Sequence, residues 1–280
     1  MDIKAILKKK LVRIKKEKVV IPCFYGTLLK NRTALITGGS SGIGFSIAQS
    51  FINNGACVTI AGRSVNKLEV AKRNLIELCS CPEYMIDVLV IDIADISAMK
   101  EKLRNYLEEK KIDIFVNNAG VNGGVNFPDT SEEDYDRILE TNLKGMYFIS
   151  QEIAKYMVEN KVTGNILNIT SSSSLRPGIS PYIISKWGGR SLTLGMAKKY
   201  LPYNIIVNGL APASTLTPML HWHESDDMNL EWSPAKRYAA PEEMGNLAVM
   251  LVSDMGKMIV GDTIYATGGA GLLTFDDATY

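Results

Sequence analysis

The amino-acid sequence predicts an α/β protein built as one domain around a doubly wound sheet of seven parallel strands, with helices on both faces. Three observations predict this architecture. Short runs rich in β-branched residues alternate with helical patterns from residue 33 onward, which is typical of a parallel sheet covered by helices. A chain of 280 residues with 46% hydrophobic content can bury a large core. No repeat, low-complexity tract or Pro/Gly/Ser-rich linker divides the chain.

The individual elements follow from the hydrophobic period and from the residues that interrupt it. The predicted strands are 33–37, 56–61, 87–92, 112–117, 164–170, 204–209 and 262–266. The predicted helices are 43–53, 65–79, 96–110, 131–160, 182–200 and 241–253. Thr130 and Glu133 stand at the spacing of a capping box, which would begin the fourth of these helices.

Charge is distributed unevenly along the chain, although the formal net charge is only +1. Residues 1–30 contain nine lysines and arginines but only two acidic residues, so this segment is predicted to be a basic N-terminal arm. Its apolar residues recur at helical spacing, which predicts a short amphipathic helix. We expect a solvated or self-packed arm, with contact to a membrane surface or a partner as the alternative. Residues 31–280 form the predicted α/β domain.

The composition argues against several classes of protein. A net charge near zero gives no reason to expect a nucleic-acid partner. No uncharged apolar run approaches the roughly 20 residues of a membrane span, and the N-terminal apolar run is too short for a signal peptide. Four cysteines without C-x-x-C spacing predict reduced thiols in a cytoplasmic protein. With only two histidines, His221 and His223, no metal site is predicted.

A glycine-rich loop follows the first predicted strand. The sequence TGGSSGIG at 37–44 leads from this strand directly into an apolar helix. Glycines at 38, 42 and 44 let the backbone turn sharply and approach a ligand, and a helix N-terminus offers unpaired N–H groups to a diphosphate. Together with the strand before it and the helix after it, the loop predicts a dinucleotide-binding site.

The end of the second predicted strand indicates which dinucleotide is bound. Enzymes that use NAD usually carry an acid there, which bonds the adenosine ribose. This chain has Ala61, Gly62, Arg63 and Ser64 instead. The absence of a carboxylate and the presence of Arg63 favour NADP, with NAD as the alternative. The loop has no second basic residue, and Arg63 as a solvated turn residue is the other interpretation.

Tyr182 and Lys186 are four residues apart in a predicted helix, so their side chains share one face. A free phenol holds its proton at neutral pH and is a poor base until its phenolate form is stabilised. A neighbouring ammonium group stabilises the phenolate electrostatically. The pair therefore predicts a tyrosine that exchanges a proton with a substrate oxygen.

With these features in order, residues 31 to about 270 strongly resemble the short-chain dehydrogenase/reductase family in its single-domain, Rossmann-like subclass. The motifs that carry the resemblance are TGGSSGIG at 37–44, Asp92, NNAG at 117–120, Asn142 in TNLKG, the serine run at 171–174, and Tyr182 with Lys186. The resemblance implies hydride transfer from a nicotinamide while Tyr182 donates a proton to the carbonyl oxygen. It also implies that Lys186 bonds the nicotinamide ribose and that Asn142 holds a water on the proton path.

The resemblance assigns the remaining candidate residues. The implied catalytic residues are Asn142, Ser171, Tyr182 and Lys186, and Ser172 is the alternative to Ser171. The implied cofactor-binding residues are Gly38, Ser40, Ser41, Gly42, Ile43, Gly44, Arg63, Asp92, Ile93, Asn118, Ala119, Gly120, Tyr182, Lys186, Pro212, Ala213, Thr215 and Thr217. The chain departs from the family at Pro212-Ala213, where Pro-Gly is usual, and at Thr267-Gly268-Gly269, where Asp-Gly-Gly is usual.

Residues 213–240 are expected to cover the substrate. This segment combines Trp222 and Trp232 with many hydrogen-bonding side chains, which suits a small polar substrate such as a sugar or polyol. A mobile, solvated lid is the other interpretation. Arg176 would meet an anionic group or lie on the surface.

The predicted function is an NADP-dependent oxidoreductase that interconverts a carbonyl and a secondary alcohol. The alternatives are a 3-oxoacyl thioester reductase of the same family and a non-catalytic dinucleotide-binding regulator. Three glycines in the helix at 182–200, Gly188, Gly189 and Gly195, would allow another helix to approach closely. By resemblance, this helix and the one at 131–160 would pack against a twin subunit, so we expect a homodimer or homotetramer, with packing inside one subunit as the alternative explanation of the glycines.

Overall fold

A computed structural model describes residues 25–124, 126–220 and 228–273 of the chain. Most of the predicted basic arm lies outside these residues, and so does the part of the substrate segment that contains Trp222 and both histidines. The strands are β1 Thr33–Thr37, β2 Cys57–Gly62, β3 Ile86–Val90, β4 Ile114–Asn117, β5 Gly164–Ile169, β6 Ile205–Pro212 and β7 Thr263–Ala266. The α-helices are α1 Gly42–Asn53, α2 Val65–Cys79, α3 Ile96–Glu109, α4 Glu132–Leu139, α5 Met146–Glu159, α6 Pro181–Tyr200 and α7 Pro241–Val252.

The seven strands form one parallel sheet in the order β3-β2-β1-β4-β5-β6-β7, which confirms the predicted architecture. The chain moves outward from β1 to β3, returns to the centre, and then continues outward on the other side through β4 to β7. The strand order therefore reverses between β1 and β4. Open α/β sheets bind ligands at such a reversal, outside the carboxyl ends of the strands.

Each face of the sheet has its own apolar core. On one face, α1, α2 and α7 pack around Phe51, which is fully buried. On the other face, α3, α5 and α6 cover Phe115, also fully buried. Burying a side chain of this kind contributes about 1.5–3 kcal/mol. The two cores hold the carboxyl ends of β1 and β4 in fixed positions.

The predicted helix at 131–160 consists of three consecutive pieces. A π-helical turn, Glu140–Gly145, separates α4 from α5 and contains the predicted site residue Asn142. The predicted capping box at Thr130 and Glu133 is wrong, because Ser131 is the N-cap and its side chain accepts the N–H of Asp134 at 3.1 Å. Thr130 and Ser131 are both of a residue type that caps helices, and the helix begins one residue later than the pattern indicated.

The three glycines of α6 have different surroundings. A Cβ at Gly188 would lie 2.7 Å from Leu143 Cδ1, and one at Gly189 would lie 3.2 Å from Met146 Sδ. These two glycines therefore let the π-helical turn and α5 approach α6 within the subunit. A Cβ at Gly195 would meet nothing within 4 Å. Among these three glycines, only Gly195 borders open space that a second subunit could fill.

Candidate active site

A cleft of about 560 Å³ opens at the carboxyl ends of the strands, where the strand order reverses. It brings together nearly all of the predicted site residues. Those that line it are Gly38, Ser40, Ser41, Gly42, Ile43, Arg63, Asp92, Ile93, Asn118, Ala119, Gly120, Ser171, Tyr182, Lys186, Pro212, Ala213, Thr215 and Thr217. Gly44 and Asn142 do not line it and lie just behind its wall. The topology alone thus predicted where these separated motifs would meet.

The glycine loop has the backbone conformation that a close ligand approach needs. Gly38 and Gly42 have φ of +65° and +56°, in the left-handed region where glycine is favoured. A Cβ at Gly44 would overlap the Asn118 amide and the Gly38 carbonyl oxygen, so α1 can lie this close to the loop only with glycine there. Gly44 therefore permits the close packing of helix against strand that a dinucleotide-binding loop requires.

The N-terminus of α1 lines the cleft. Its N-cap, Ser41, makes no side-chain cap bond, and the first turn contains no acidic residue. Unpaired N–H groups and the positive end of the helix dipole favour an anion such as a diphosphate. Thr37 fixes the facing strand, because its Oγ1 accepts the N–H groups of Asn118 and Ala119 at 3.0 and 3.1 Å.

The far end of the cleft carries two cations and one carboxylate. The side chain of Arg63 is 70% exposed, and its Nη1 lies 3.9 Å from Asp92 Oδ2. Asp92 Oδ1 accepts the N–H of Ala94 at 3.0 Å. Lys67, in the first turn of α2, also lines this end. Sequence reasoning missed Lys67 because it lies in the first turn of the helix and not in the loop that precedes it.

Tyr182 and Lys186 lie together in the cleft. Ser180 caps α6 by accepting the N–H of Ile183 at 3.2 Å, and Pro181 occupies the first helical position, so Tyr182 belongs to the first turn. The Lys186 Nζ lies 5.5 Å from the centre of the Tyr182 ring. Lys186 is only 8% exposed, and its Nζ donates to the carbonyl oxygen of Ile169 at 3.2 Å. The predicted one-turn spacing thus corresponds to a real proximity.

The four consecutive serines have four different environments. Ser174 is fully buried and outside the cleft, and its Oγ donates to the Ser171 carbonyl oxygen at 2.8 Å. Ser171, Ser172 and Ser173 line the cleft. The Oγ of Ser171 accepts the N–H of Ser173 at 3.1 Å, whereas the Oγ of Ser172 accepts Arg176 Nη2 at 3.2 Å. Because the Ser171 oxygen serves as the acceptor in this bond, its hydroxyl proton can be directed into the cleft.

Asn142 connects the π-helical turn to the end of β4. Its Oδ1 accepts the N–H of Val121 at 2.7 Å, and its Nδ2 donates to the Val121 carbonyl oxygen at 2.8 Å and to Ser185 Oγ at 3.3 Å. A Cβ on Gly120 would lie 3.2 Å from Asn142 Oδ1 and 3.7 Å from Lys186 Nζ. Asn142 and Lys186 are therefore both next to Gly120.

The chain departs from the family pattern at two positions, Ala213 and Thr267. Ala213 fits its turn without backbone strain. Residue 213 is not among the described residues with positive φ, so alanine fits the turn that follows β6. The Ala213 N–H donates to Ala266 at 3.1 Å, which joins this turn to the end of β7. Thr217 packs over the glycine loop, because a Cβ on Gly42 would lie 3.2 Å from it. Thr267 is buried beside β7.

The rest of the cleft has a mixed lining. Polar, charged, apolar and aromatic side chains contribute to it, among them Asn122, Arg176, Met219, Leu220 and Trp232. Trp232, from the segment expected to cover the substrate, is 38% exposed and lines the cleft. Sequence reasoning missed Asn122, which follows the NNAG motif by two residues and shares its strand end.

Two further properties concern the described residues as a whole. Within 25–124, 126–220 and 228–273, no three His, Cys, Asp or Glu side chains cluster in a way that could hold a metal ion. No helix in the same ranges has the length and apolar character needed to cross a membrane.

Comparison with known proteins gives consistent matches over most of the chain. A gluconate 5-dehydrogenase of Gluconobacter oxydans is 31% identical over 248 residues, covering 86% of this chain and 95% of that protein. The structure of a gluconate 5-dehydrogenase from Burkholderia cenocepacia J2315 in complex with NADP and tartrate has a TM-score of 0.78 at 29% identity, covering 90% of this chain and 97% of that one. A 3-ketoacyl-(acyl-carrier-protein) reductase from Brucella melitensis complexed with NADH has a TM-score of 0.76 at 27% identity, covering 86% and 98%.

The model of one family, described as short chain dehydrogenase, matches residues 32–227, which contain the glycine loop and the Tyr182/Lys186 pair. The same residues form the cleft at the reversal of the strand order. The chain therefore belongs to the short-chain dehydrogenase family of NAD(P)-dependent oxidoreductases.

Proposed function

We propose that this protein is an NADP-dependent oxidoreductase that interconverts a carbonyl and a secondary alcohol on a small polar substrate. The observation that carries the proposal is the buried Lys186 ammonium beside the Tyr182 phenol, in a cleft that also contains Ser171. A purely regulatory binding module has no need of this arrangement.

Each residue of the group has a proposed role. NADPH, when bound, supplies the hydride. Tyr182 donates its proton to the carbonyl oxygen in reduction and accepts it back in oxidation. Lys186 stabilises the phenolate by its positive charge, and Ser171 donates a hydrogen bond to the same substrate oxygen. The bonds from Asn142 to Val121 and Ser185 support a positioning role, and its role in holding a water stays a prediction from the family.

The preference for NADP is proposed from Arg63 and Lys67. A 2′-phosphate on the adenosine ribose would lie between two cations, and charge-assisted bonds to phosphate are among the strongest that side chains make. Replacing both residues, as Arg63→Ser with Lys67→Gln, should weaken NADPH binding about 10- to 100-fold and change NADH binding by less than about 3-fold. Fluorescence titration with each cofactor measures this. Equal losses for NADPH and NADH would contradict the preference.

The substrate class is proposed from the cleft lining. Trp232 offers an aromatic face, while Asn122 and the serines offer hydrogen bonds, a combination that suits a hydroxylated carbon chain. A second candidate is a 3-oxoacyl thioester reductase, which Met219 and Leu220 favour because they are apolar and exposed beside the cleft. The structural likeness to a 3-ketoacyl reductase supports the same candidate.

Activity on a panel of sugars, polyols, hydroxy acids and 3-oxoacyl thioesters tests the proposal. Tyr182→Phe should lower kcat by about 10³-fold or more on the preferred substrate, while NADPH binding stays within about 3-fold of the original. Tight cofactor binding without turnover on any compound, and the same result for Tyr182→Phe, would favour the regulator instead.

Location and assembly belong to the same proposal. The free thiols of Cys57, Cys79 and Cys81 support a reducing, cytoplasmic location. The open space at Gly195, beside exposed apolar side chains on α6, supports a homodimer or homotetramer.

A further inference from the structure

We propose that Arg237 and Glu243 are positioning residues, and that their ion pair fixes the place of Trp232 in the cleft. The proposal rests on the oxidoreductase function given above and adds two residues that act on the substrate through Trp232. Trp232 lines the cleft and is 38% exposed. Arg237 and Glu243 do not line the cleft, so any effect they have on the reaction passes through other residues.

Trp232 lies in a turn that is closed by its own backbone hydrogen bonds. The Tyr238 N–H donates to the Met228 carbonyl oxygen at 2.8 Å. Further into the turn, the Leu230 N–H donates to the Lys236 carbonyl oxygen at 3.0 Å. Because these bonds join the two sides of the turn, it forms one hydrogen-bonded unit. The position of Trp232 therefore depends on how this unit is attached to the rest of the domain.

The base of the turn is attached to α7 by a bidentate ion pair. Arg237 Nη1 and Nη2 donate to Glu243 Oε2 and Oε1, each at 2.7 Å, in the parallel geometry that makes such pairs strong. Glu243 Oε2 also accepts the N–H of Ala240 at 2.9 Å. The hydrogen bond from Arg237 lowers the pKa of Glu243 below its ordinary value, so the carboxylate is charged at neutral pH.

Glu243 belongs to the rigid part of the domain. It lies in the first turn of α7, and this helix packs on α1. The two helices are close, since a Cβ on Gly245 would lie 2.8 Å from the Ser46 carbonyl oxygen. Because α1 begins at the glycine loop, the ion pair ties the turn that carries Trp232 to the framework that would hold the cofactor.

Side-chain packing beneath the turn is incomplete, which makes the ion pair more important. A second cavity, of about 220 Å³, is lined by Ala235, Arg237 and Tyr238 from the turn and by Leu247 from α7. Side chains that border a cavity lack part of the dispersion contacts that close packing supplies. A backbone bond from Ala235 to Gly268 at 3.0 Å also attaches the turn. Without the ion pair, the turn would keep this bond but lose the side-chain contact that orients its base.

The fluorescence of Trp232 tests the proposal without requiring turnover. Acrylamide quenching is measured for wild type and Arg237→Gln, each with and without Trp232→Phe, so that the difference within each pair separates Trp232 from the other two tryptophans. We expect Arg237→Gln to raise the quenching constant of Trp232 about 2-fold, because the turn becomes more mobile. Arg237→Lys should raise it less, because lysine keeps the charge but lacks the bidentate geometry.

Glu152→Gln is the matched control for a purely structural effect. It removes a carboxylate that accepts two bonds from Arg104, at 3.1 and 2.9 Å, on the face of the sheet opposite α7. Neither residue lines the cleft. Glu152→Gln should therefore lower the stability of the fold and leave the quenching constant of Trp232 within about 20% of wild type.

Steady-state kinetics with the best substrate of the panel add a second readout. Arg237→Gln should raise KM about 10-fold and change kcat by less than about 3-fold, because Trp232 covers the substrate and takes no part in proton transfer. Tyr182→Phe should have the reverse effect, with turnover lost and the quenching of Trp232 unchanged. Failure of the oxidoreductase proposal would therefore appear as absent turnover in wild type, whereas failure of the positioning role would appear in the fluorescence.

Two results would overturn the inference. One is a quenching constant of Trp232 that Arg237→Gln leaves at the wild-type value. The other is an equal rise in Arg237→Gln and Glu152→Gln, which would show a general loosening of the fold. If Arg237→Gln does not fold, Arg237→Lys decides, since an unchanged Trp232 signal in that variant contradicts a role for the bidentate pair.

Discussion

The serine run illustrates how much individual side-chain environments decide. From sequence, the four serines look equivalent, and position relative to the strand favoured Ser171 with Ser172 as the alternative. In the structure, the Ser174 side chain lies outside the cleft and donates a hydrogen bond to the Ser171 carbonyl oxygen. The Ser172 side chain accepts a hydrogen bond from Arg176. The named bonds of Ser171 and Ser172 leave both hydroxyl protons to donate, but the Ser172 oxygen holds the Arg176 side chain whereas the Ser171 oxygen only caps its own turn, so we assign the donor role to Ser171.

This difference leads to a prediction about matched alanine variants. Ser171→Ala should lower kcat about 10²-fold, because it removes a donor to the substrate oxygen in the transition state. Ser172→Ala should change kcat by less than about 5-fold, because its hydroxyl supports Arg176 and not the reacting oxygen. Steady-state kinetics with NADPH binding as a folding check measure both. Reversed effects would assign the donor role to Ser172.

The chemistry of single residues could be predicted where it depends on local spacing. Tyr182 and Lys186 are one helical turn apart, and a helix fixes that relation wherever it packs. Lys67 could not be predicted in the same way, because it belongs to the helix after Arg63 and not to the loop whose composition indicates the cofactor. The bond from Ser174 to the chain, by contrast, depends on how the turn after β5 folds back, which no local pattern records.

For secondary-structure elements, the segment that carries Asn142 shows that a local pattern predicts the type of element but not its irregularities. Its apolar period correctly predicted helical structure across 131–160, but it did not predict the π-helical turn Glu140–Gly145. This turn places Asn142 where it bonds both backbone groups of Val121, at the end of β4. Partners from distant parts of the chain stabilise the wider turn. The hydrophobic period of one helix contains no information about such partners.

The glycine loop yields a prediction about the packing of α1 on the sheet. A Cβ at Gly44 would overlap Asn118 and the Gly38 carbonyl oxygen, so Gly44→Ala should push the helix away from the loop. We expect NADPH affinity to fall about 10-fold or more and the free energy of unfolding to fall by about 1–3 kcal/mol. Gly195→Ala is the matched control for NADPH affinity, because that residue is outside the cleft and a Cβ there meets nothing within 4 Å in the subunit. Normal NADPH binding by Gly44→Ala would contradict the tight packing.

A second prediction concerns the contact between α3 and α5. The Glu152 side chain is 5% exposed and accepts Arg104 Nη2 at 2.9 Å, with Lys100 Nζ at 3.5 Å. Burial raises the pKa of Glu152, but the bond to Arg104 and the surrounding positive charges outweigh it and leave this pKa below its ordinary value. Because the folded-state pKa is the lower one, the contribution to stability is present above the ordinary carboxyl pKa of about 4.3 and is lost as the pH falls through the folded value.

Glu152→Gln should therefore lower the free energy of unfolding by about 1–3 kcal/mol at pH 7 and by less near pH 4. Urea unfolding at the two pH values measures this difference. Glu101→Gln on α3 is the control, since Glu101 is exposed and should change stability by less than about 0.5 kcal/mol. Equal effects of the two substitutions would show that the cations around Glu152 do not stabilise the fold.

For the molecule as a whole, the sheet and the location of its cleft were the most predictable features. Alternating strands and helices imply parallel pairing, and the reversal of strand order places a ligand at the carboxyl ends. The glycine loop, Asp92 and Tyr182 belong to different βα units, yet all reach the same edge for this reason. The basic charge of the N-terminal segment is visible in its composition, but composition does not indicate what the segment contacts.

The surface of α5 and α6 leads to the prediction about assembly. Ile184, Trp187 and Leu194 are exposed apolar residues that recur on one face of α6, and Tyr147 is exposed on α5. Open space at Gly195 continues this face. Apolar side chains grouped in this way usually mark a surface that another protein covers.

A second copy of the chain is the partner that would cover these helices symmetrically, since a twofold interface brings the same patch of each subunit together. We therefore expect light scattering to give a mass of two or four subunits. Leu194→Arg should shift the protein toward smaller species, because it places unpaired charge in an apolar contact. Val70→Arg makes the same change at an exposed position on α2, away from this face, and should leave the mass unchanged. A wild-type monomer, or a mass that both variants retain, would mean that these apolar residues serve no subunit contact.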